Sequence, residues 1–391
     1  MNRNVWLLFT CQGLVTSSSI SQVSISALIG YSLVADKTLA TLPYALQMTA
    51  TMAASIPAGI VFGRLGRKAG FMLGALATLL GTLLFAIGLI RADFVFYCLG
   101  SIATGVGFGV GQHYRFAAAE VAPPEKRSRA IALVMAAGVI SAILGPELVK
   151  NSKELAMPVL FLGTYLMLAI LPAVSMLLLA VTELPPSPPR QSTPTPIGAL
   201  LARPNFITAA VAGLVGFGAM NLIMAATPLQ MKFCGFGVDD STDVIRAHAI
   251  CMFAPGFISG RLIDRYGPHR IILIGGVLNF ICIAVALTGG TAFSTFIIAL
   301  TTLGVGWNFM FVGASALLTT AHSAAERVRA QATNDFIVFG TVAITSFGSG
   351  AIHGAFGWNA VNLTVAPFIV VAMALVSWHY LRQTRVASLA S

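Results

Sequence analysis

A chain of 391 residues that is 57% hydrophobic and only 9% charged, with a mean hydropathy of +0.86, is no ordinary soluble domain. The net charge of +10 is spread over short segments between apolar runs, so it reports membrane topology and contact with anionic lipid. A nucleic-acid partner is excluded, because that needs a basic patch on a folded soluble surface.

Apolar runs of about 20 residues, each able to cross a ~30 Å hydrocarbon core, follow one another along the chain. They predict twelve spans, near 5–31, 40–62, 70–90, 94–118, 130–149, 157–181, 205–231, 243–262, 271–289, 293–319, 331–354 and 360–380. Arg3 before an apolar stretch imitates a signal peptide. The stretch continues to Tyr31 without a cleavage site, which makes it the first span. With both termini cytoplasmic, sixteen Lys and Arg fall in inner loops. Only Lys37, Arg91, Lys150, Lys153, Lys232 and Arg246 fall outside, a clear positive-inside bias. Residues 182–204, with Pro185-Pro186-Ser187-Pro188-Pro189 and Arg190, form the cytoplasmic linker. The expected fold is an all-α membrane protein of twelve transmembrane helices in two pseudo-symmetric six-helix bundles, 1–181 and 205–391.

The halves repeat at an offset near 200. Gly59-x-x-x-Gly63-Arg64-Leu65-Gly66-Arg67-Lys68 follows the second span. Gly260-x-x-x-Asp264-Arg265-Tyr266-Gly267-Pro268-His269 follows the eighth. Glu125-Lys126-Arg127-Ser128-Arg129-Ala130 likewise answers to Ala325-Glu326-Arg327-Val328-Arg329-Ala330. Two parallel repeats around a substrate path are transporter architecture. No Ser/His/Asp constellation, phosphate loop or carboxylate pair points to an enzyme.

Polar residues inside spans are costly and mark function. Gln112, His113 and Arg115 lie in the inner third of the fourth span, on or beside the face of Ser101, Gly105 and Phe108, and are expected to line a cavity. Asp335 sits just inside the eleventh span, where the helix dipole favours an acid. Met220 and Met224 in the seventh span, and His248 and Met252 in the eighth, are two i,i+4 pairs of soft donors. Adjacent helices could turn three thioethers and an imidazole toward one point. Those donors suit Cu(I) and fit Mg²⁺ or Ca²⁺ poorly. Methionine also fills apolar cores. Met48 and Met52, the repeat-related counterparts of His248 and Met252, are a possible second soft site or plain packing. The five cysteines, Cys11, Cys98, Cys234, Cys251 and Cys282, have no zinc spacing.

The loop motifs resemble the signature G-x-x-x-D-R-x-G-R-[RK] of the major facilitator superfamily. The second copy keeps Gly260, Asp264, Arg265 and Gly267. The first keeps Gly59, Arg64, Gly66, Arg67 and Lys68, with Gly63 in the acid's place. Within that superfamily, M-x-x-x-M in the seventh helix and H-x-x-x-M in the eighth resemble the CcoA-like copper importers (the CalT group). This resemblance implies an inner-membrane permease working by alternating access, with no cofactor and copper as cargo on Met220, Met224, His248 and Met252. It also implies supply to haem–copper oxidase assembly, with a cytoplasmic copper chaperone or exporter downstream. The expected state is a monomer whose other partners are membrane lipids. A riboflavin-transporting branch lies close to the same group. Riboflavin or another planar organic cargo would call on stacking aromatics such as Phe108, Tyr114, Trp307 or Phe311. With Gly63 in place of an acid, Asp335 is expected to meet Arg64, Arg67 or Lys68 when the inner gate closes, with Glu120 as the competing partner.

Overall fold

The computed structural model describes residues 2–35, 39, 42–185 and 196–390. Lys37, Arg190 and the linker residues Pro186, Ser187, Pro188 and Pro189 lie outside the described residues. The helices are α1 (Arg3–Leu33), α2 (Leu42–Arg91), α3 (Phe94–Gly111), α4 (Tyr114–Val121), α5 (Arg127–Ala136), α6 (Gly138–Ser152) and α7 (Leu162–Ala180). They continue as α8 (Ile197–Leu201), α9 (Pro204–Phe233), α10 (Val238–Phe253), α11 (Gly256–Tyr266), α12 (Pro268–Thr288), α13 (Phe293–Leu318) and α14 (Arg327–Ala390).

These elements trace the twelve crossings. α2 carries the second and third spans as one 50-residue element, because Gly66 alone turns the chain at φ +86°. α14 does the same through Gly357 at φ +79°. Only glycine takes that backbone conformation without strain, so each pair of spans is joined by a single-residue pivot. The fourth span is broken by a turn at Gln112 and His113 between α3 and α4, the fifth between α5 and α6, and the eighth between α10 and α11. Asn2 starts α1 by accepting from Val5 N at 3.1 Å. Asp93 starts α3 by accepting from Val95 N and Phe96 N at 2.8 and 3.3 Å.

Among the described residues, eight helical stretches are long and apolar enough to cross a membrane, those of α2 and α14 at twice the necessary length. Leu177, Ile344 and Phe356 are 70%, 72% and 77% exposed, the apolar outer surface of a protein solvated by lipid.

The described residues form two compact units. One gathers Met1–Pro123, Ala137–Arg190 and Gln331–Phe339; the other gathers Pro124–Ala136, Gln191–Ala330 and Gly340–Ser391. Compared with the expected bundles, α5 groups with the second unit and the first turns of α14 group with the first. The physical reason for the α5 assignment is close packing on α11. A Cβ on Gly260 would stand 2.6 Å from Arg129 Cα, so only glycine allows the two backbones to approach so closely. The first unit has a core of Ile25, Ile29, Phe85, Tyr97, Tyr165 and Leu168. In it the two buried phenols hydrogen-bond each other at 2.6 Å.

Candidate functional site

In the second unit, α10 and α13 run in the same direction and touch backbone to backbone. Gly304 of α13 makes this possible, since a Cβ there would lie 2.8 Å from His248 O and 2.9 Å from Met252 N. Two polar contacts clamp the crossing. His248 Nδ1 meets Leu300 O at 2.7 Å, and Asn308 Nδ2 donates to Met252 O at 2.9 Å. A carbonyl can only accept, so Nδ1 holds the imidazole proton and Nε2 is left as a bare acceptor. His248 is fully buried, and Nε2 has no hydrogen-bond partner among the described residues. Desolvating an acceptor with nothing on it is expensive, which makes the atom a candidate to meet a cargo.

Trp307 stacks on Phe311, with ring centroids 5.1 Å apart and planes at 18°. Phe217 of α9 stands edge-on to both at 5.3 and 5.2 Å, and Phe253 of α10 stands edge-on to Trp307 at 5.7 Å. Trp307 is 1% exposed, yet its Nε1 has no acceptor among the described residues; Asn308 Oδ1 is likewise unpartnered. An aromatic wall, an unused N–H and two unused acceptors therefore belong to one stretch of the second unit. The aromatic patterning expected Trp307 and Phe311 to serve a planar cargo; Phe217, Phe253 and Asn308 were not anticipated. Each lies one to three residues from a singled-out position (Met220, Met252 and Trp307), which was the available signal. Phe108 is partly buried, and Tyr114 packs on Phe71 at 4.5 Å in the first unit.

The soft-donor set is less well assembled than its spacing suggests. Met220 is buried, whereas Met224 and Met252 are partly buried. α9 and α10 each pack closely on α13, α9 also bonds to α14 through Asn221 and Leu222, and α9 and α10 touch each other only sparsely. The two i,i+4 pairs therefore do not share a close helix–helix seam. In α2, Met48 is buried and Met52 partly buried.

The first unit holds a buried ionic cluster. Arg115 Nη2 donates to Asp335 Oδ1 at 2.6 Å, and Nη1 donates to Gln112 O at 2.8 Å. The guanidinium lies 4.3 Å from the Phe116 ring centroid. Asn334 Nδ2 adds a bond to Asp335 Oδ1 at 3.1 Å. Arg67 reaches both Glu120 and Gln331. Two expectations are corrected here. Asp335 pairs with Arg115 instead of Arg64, Arg67 or Lys68. Glu120 already neutralises Arg67, Lys68 Nζ donates to Ala180 O at 2.6 Å, and Arg64 is exposed. The fully buried Arg115 has the greater need for an acid. Gln112, His113 and Arg115, expected as cavity walls, are 5%, 0% and 0% exposed and are packed within this cluster.

The loop motifs behave unequally. In the second unit Asp264 Oδ2 accepts from Arg129 Nε at 2.6 Å, Arg265 lies over the Tyr266 ring, and Gly267 turns the chain at φ +83°. The first copy keeps the pivot at Gly66 and a buried Gly59, with no acid at Gly63.

The Major Facilitator Superfamily family model matches residues 5–242 and 244–390. The chain is 37% identical over 378 residues to "Riboflavin transporter RfnT" of Brucella anthropi, covering 96% of this chain and 94% of that protein. Among solved structures it is similar to the transporter FucP in the outward conformation, with a TM-score of 0.76 at 17% identity, covering 96% of this chain and 98% of that one. The human organic anion transporter MFSD10 superposes with a TM-score of 0.78 at 14% identity, covering 96% and 100%. At such identities the two structures speak for the fold alone.

Proposed function

This chain belongs to the Major Facilitator Superfamily and is a multi-pass membrane permease, not an enzyme; on that premise we propose that it imports riboflavin, or a planar heteroaromatic molecule of the same kind. The reading is supported by near-full-length similarity to a protein named as a riboflavin transporter. The structural observation that carries it is the aromatic wall of Trp307, Phe311, Phe217 and Phe253, with the unused Trp307 N–H on the wall itself and the unused His248 Nε2 on the neighbouring α10. A flavin ring is flat and apolar on its faces, with donors and acceptors only at its edge. Faces stack on aromatic side chains, and an edge needs a few placed polar atoms. The membrane is the bacterial inner membrane with both termini cytoplasmic, a placement supported by the sixteen inner against six outer cations.

Copper import, favoured by the Met and His spacing, has thinner support. Its one favourable observation is the Nδ1–H of His248 held on Leu300 O, the arrangement that orients a metal-binding imidazole. The similarity to a riboflavin transporter and the sparse α9–α10 seam weigh the other way. The decisive experiment expresses the chain in a riboflavin auxotroph and measures labelled riboflavin uptake together with cellular copper. Saturable riboflavin accumulation with unchanged copper is expected. Background riboflavin uptake with raised copper content would reverse the assignment.

A further inference from the structure

Packing inside each unit fixes the register of the internal repeat. In the first unit a Cβ on Gly105 of α3 would run into Gln47 O, and one on Gly109 would lie 2.7 Å from Thr51 O. In the second unit Gly304 lies against His248 O in the same way, and Asn308, four residues on, donates to Met252 O. Gln47 and Thr51 are therefore the counterparts of His248 and Met252, whereas Met48 and Met52 lie one position further round α2. Like His248, Gln47 is fully buried and keeps an acceptor, Oε1, without a partner among the described residues. A second amide stands in the same seam. Gln22 of α1 is 2% exposed and accepts at Oε1 from Thr104, the residue before Gly105, at 3.0 Å. Its Nε2 has no partner among the described residues. Gln47 Nε2 donates across to Ser19 of α1, one turn before Gln22, at 3.3 Å. Each amide thus spends one end on a hydroxyl and leaves the other idle. Turning an amide end for end changes which atom is idle and leaves the count the same, because a hydroxyl can donate or accept. Two half-used amides at one buried crossing are costly.

We propose that Gln22 and Gln47 form an alcohol-binding subsite in the first unit, which selects cargo carrying a hydroxylated chain. This deepens the riboflavin reading and rests on it. Riboflavin bears a chain of hydroxyl groups on one ring nitrogen, and an aromatic wall alone cannot tell it from the same ring without the chain. An alcohol accepts and donates, so it suits one idle N–H and one idle carbonyl together. The side chains of this seam are amides and hydroxyls without formal charge, which matches a neutral polyol. The seam is closed in this structure, and the Gln47–Ser19 and Gln22–Thr104 bonds are the ones a cargo hydroxyl exchanges with. Discrimination follows from the idle ends. A flavin with its hydroxyls removed leaves both amides half-used, and a site built to bond a hydroxyl rejects the analogue that lacks it.

The test compares riboflavin with lumiflavin, which has the same ring system and a methyl group in place of the hydroxylated chain. Dissociation constants for both are measured on the full chain in lipid nanodiscs, for the parental protein, Gln22→Met, Gln47→Met and the double variant. Methionine keeps the side-chain length and removes both amide atoms, and replacing a half-used buried amide by an apolar group is close to neutral for folding. The expected result is a parental preference for riboflavin that falls by at least about fivefold in each single variant, while lumiflavin affinity holds. No parental preference, an unchanged preference in either single variant, or equal losses for the two ligands overturns the subsite and leaves the flavin reading standing. A parental protein that binds neither flavin refutes that reading, and ribitol then judges the subsite. Ribitol should raise the unfolding midpoint of the parental protein more than that of the double variant. Equal rises, the general exclusion effect of a polyol, overturn the proposal.

Discussion

Arg129 of α5 donates through Nε to Asp264 Oδ2 at 2.6 Å, completing in the second unit a motif whose first copy has Gly63 where the acid would be. The two copies therefore hold their helices by different means. In the second unit the acid sits in the loop motif. In the first, the motif's Arg67 is met by Glu120 of α4, and Asp335 pairs with Arg115, which lies outside the motif.

The Arg129–Asp264 pair should matter less than the glycine beneath it. Arg129 is 45% exposed, so the ion pair contributes about 0–1 kcal/mol. At Gly260 a Cβ already meets Arg129 Cα at 2.6 Å. Gly260→Val should destabilise by about 1–3 kcal/mol. Thermal unfolding of the purified protein should show a small shift for Asp264→Asn and a larger one for Gly260→Val; the reverse order would contradict the packing argument.

The Arg115–Asp335 pair should behave oppositely, because both partners are buried. Arg115→Met or Asp335→Leu alone strands a charge and should cost about 3–5 kcal/mol. The double variant strands none and should recover much of that loss. A double-mutant cycle on unfolding midpoints checks it, with strict additivity as the failing result.

Trp307 is expected to act on cargo through two separable features. Trp307→Phe keeps a ring and removes one N–H, so riboflavin KM should rise several-fold, a loss of about 1 kcal/mol. Trp307→Ala also removes the stacked surface and should raise it further. Equal KM values for the parental and Trp307→Ala proteins would remove the wall from the transport path.

His248→Ala separates the two cargo chemistries. Under the riboflavin reading, the loss of the Nε2 acceptor weakens riboflavin uptake and leaves cellular copper unchanged. A copper decrease with riboflavin uptake intact would point to a metal ligand. Gly304→Ala serves as the packing comparison. Its methyl would push on His248 O and Met252 N, so membrane abundance and uptake should fall together.

Much of the fold was legible in the chain because lipid leaves few options. An apolar run near 20 residues has to be a helix if every backbone group is to be satisfied, and the twelve runs reappear as crossings. The pivot at Gly66 could be anticipated as part of the motif; its joining of two spans into one element could not. The ionic partners were harder. Arg64, Arg67 and Lys68 were the cations expected for Asp335 and Arg115 was not among them; the choice rests on burial depth and on Glu120 having occupied Arg67. Arg115 and Asp335 are 220 residues apart, beyond any local pattern. The soft donors stood out because their spacing is regular. Phe217 and Phe253 did not, because an aromatic residue in an apolar span looks the same whether it faces cargo or core.

The chain has four tryptophans, and their placement is unequal. Trp6 and Trp378 are 50% and 51% exposed on the outer surface, whereas Trp307 is buried against Phe311. Tryptophan emission overlaps flavin absorption, so a flavin lodged beside Trp307 drains its excited state. With Trp6, Trp358 and Trp378 changed to Phe, the remaining indole becomes an optical gauge of occupancy, and cargo arrival can be timed in unlabelled protein.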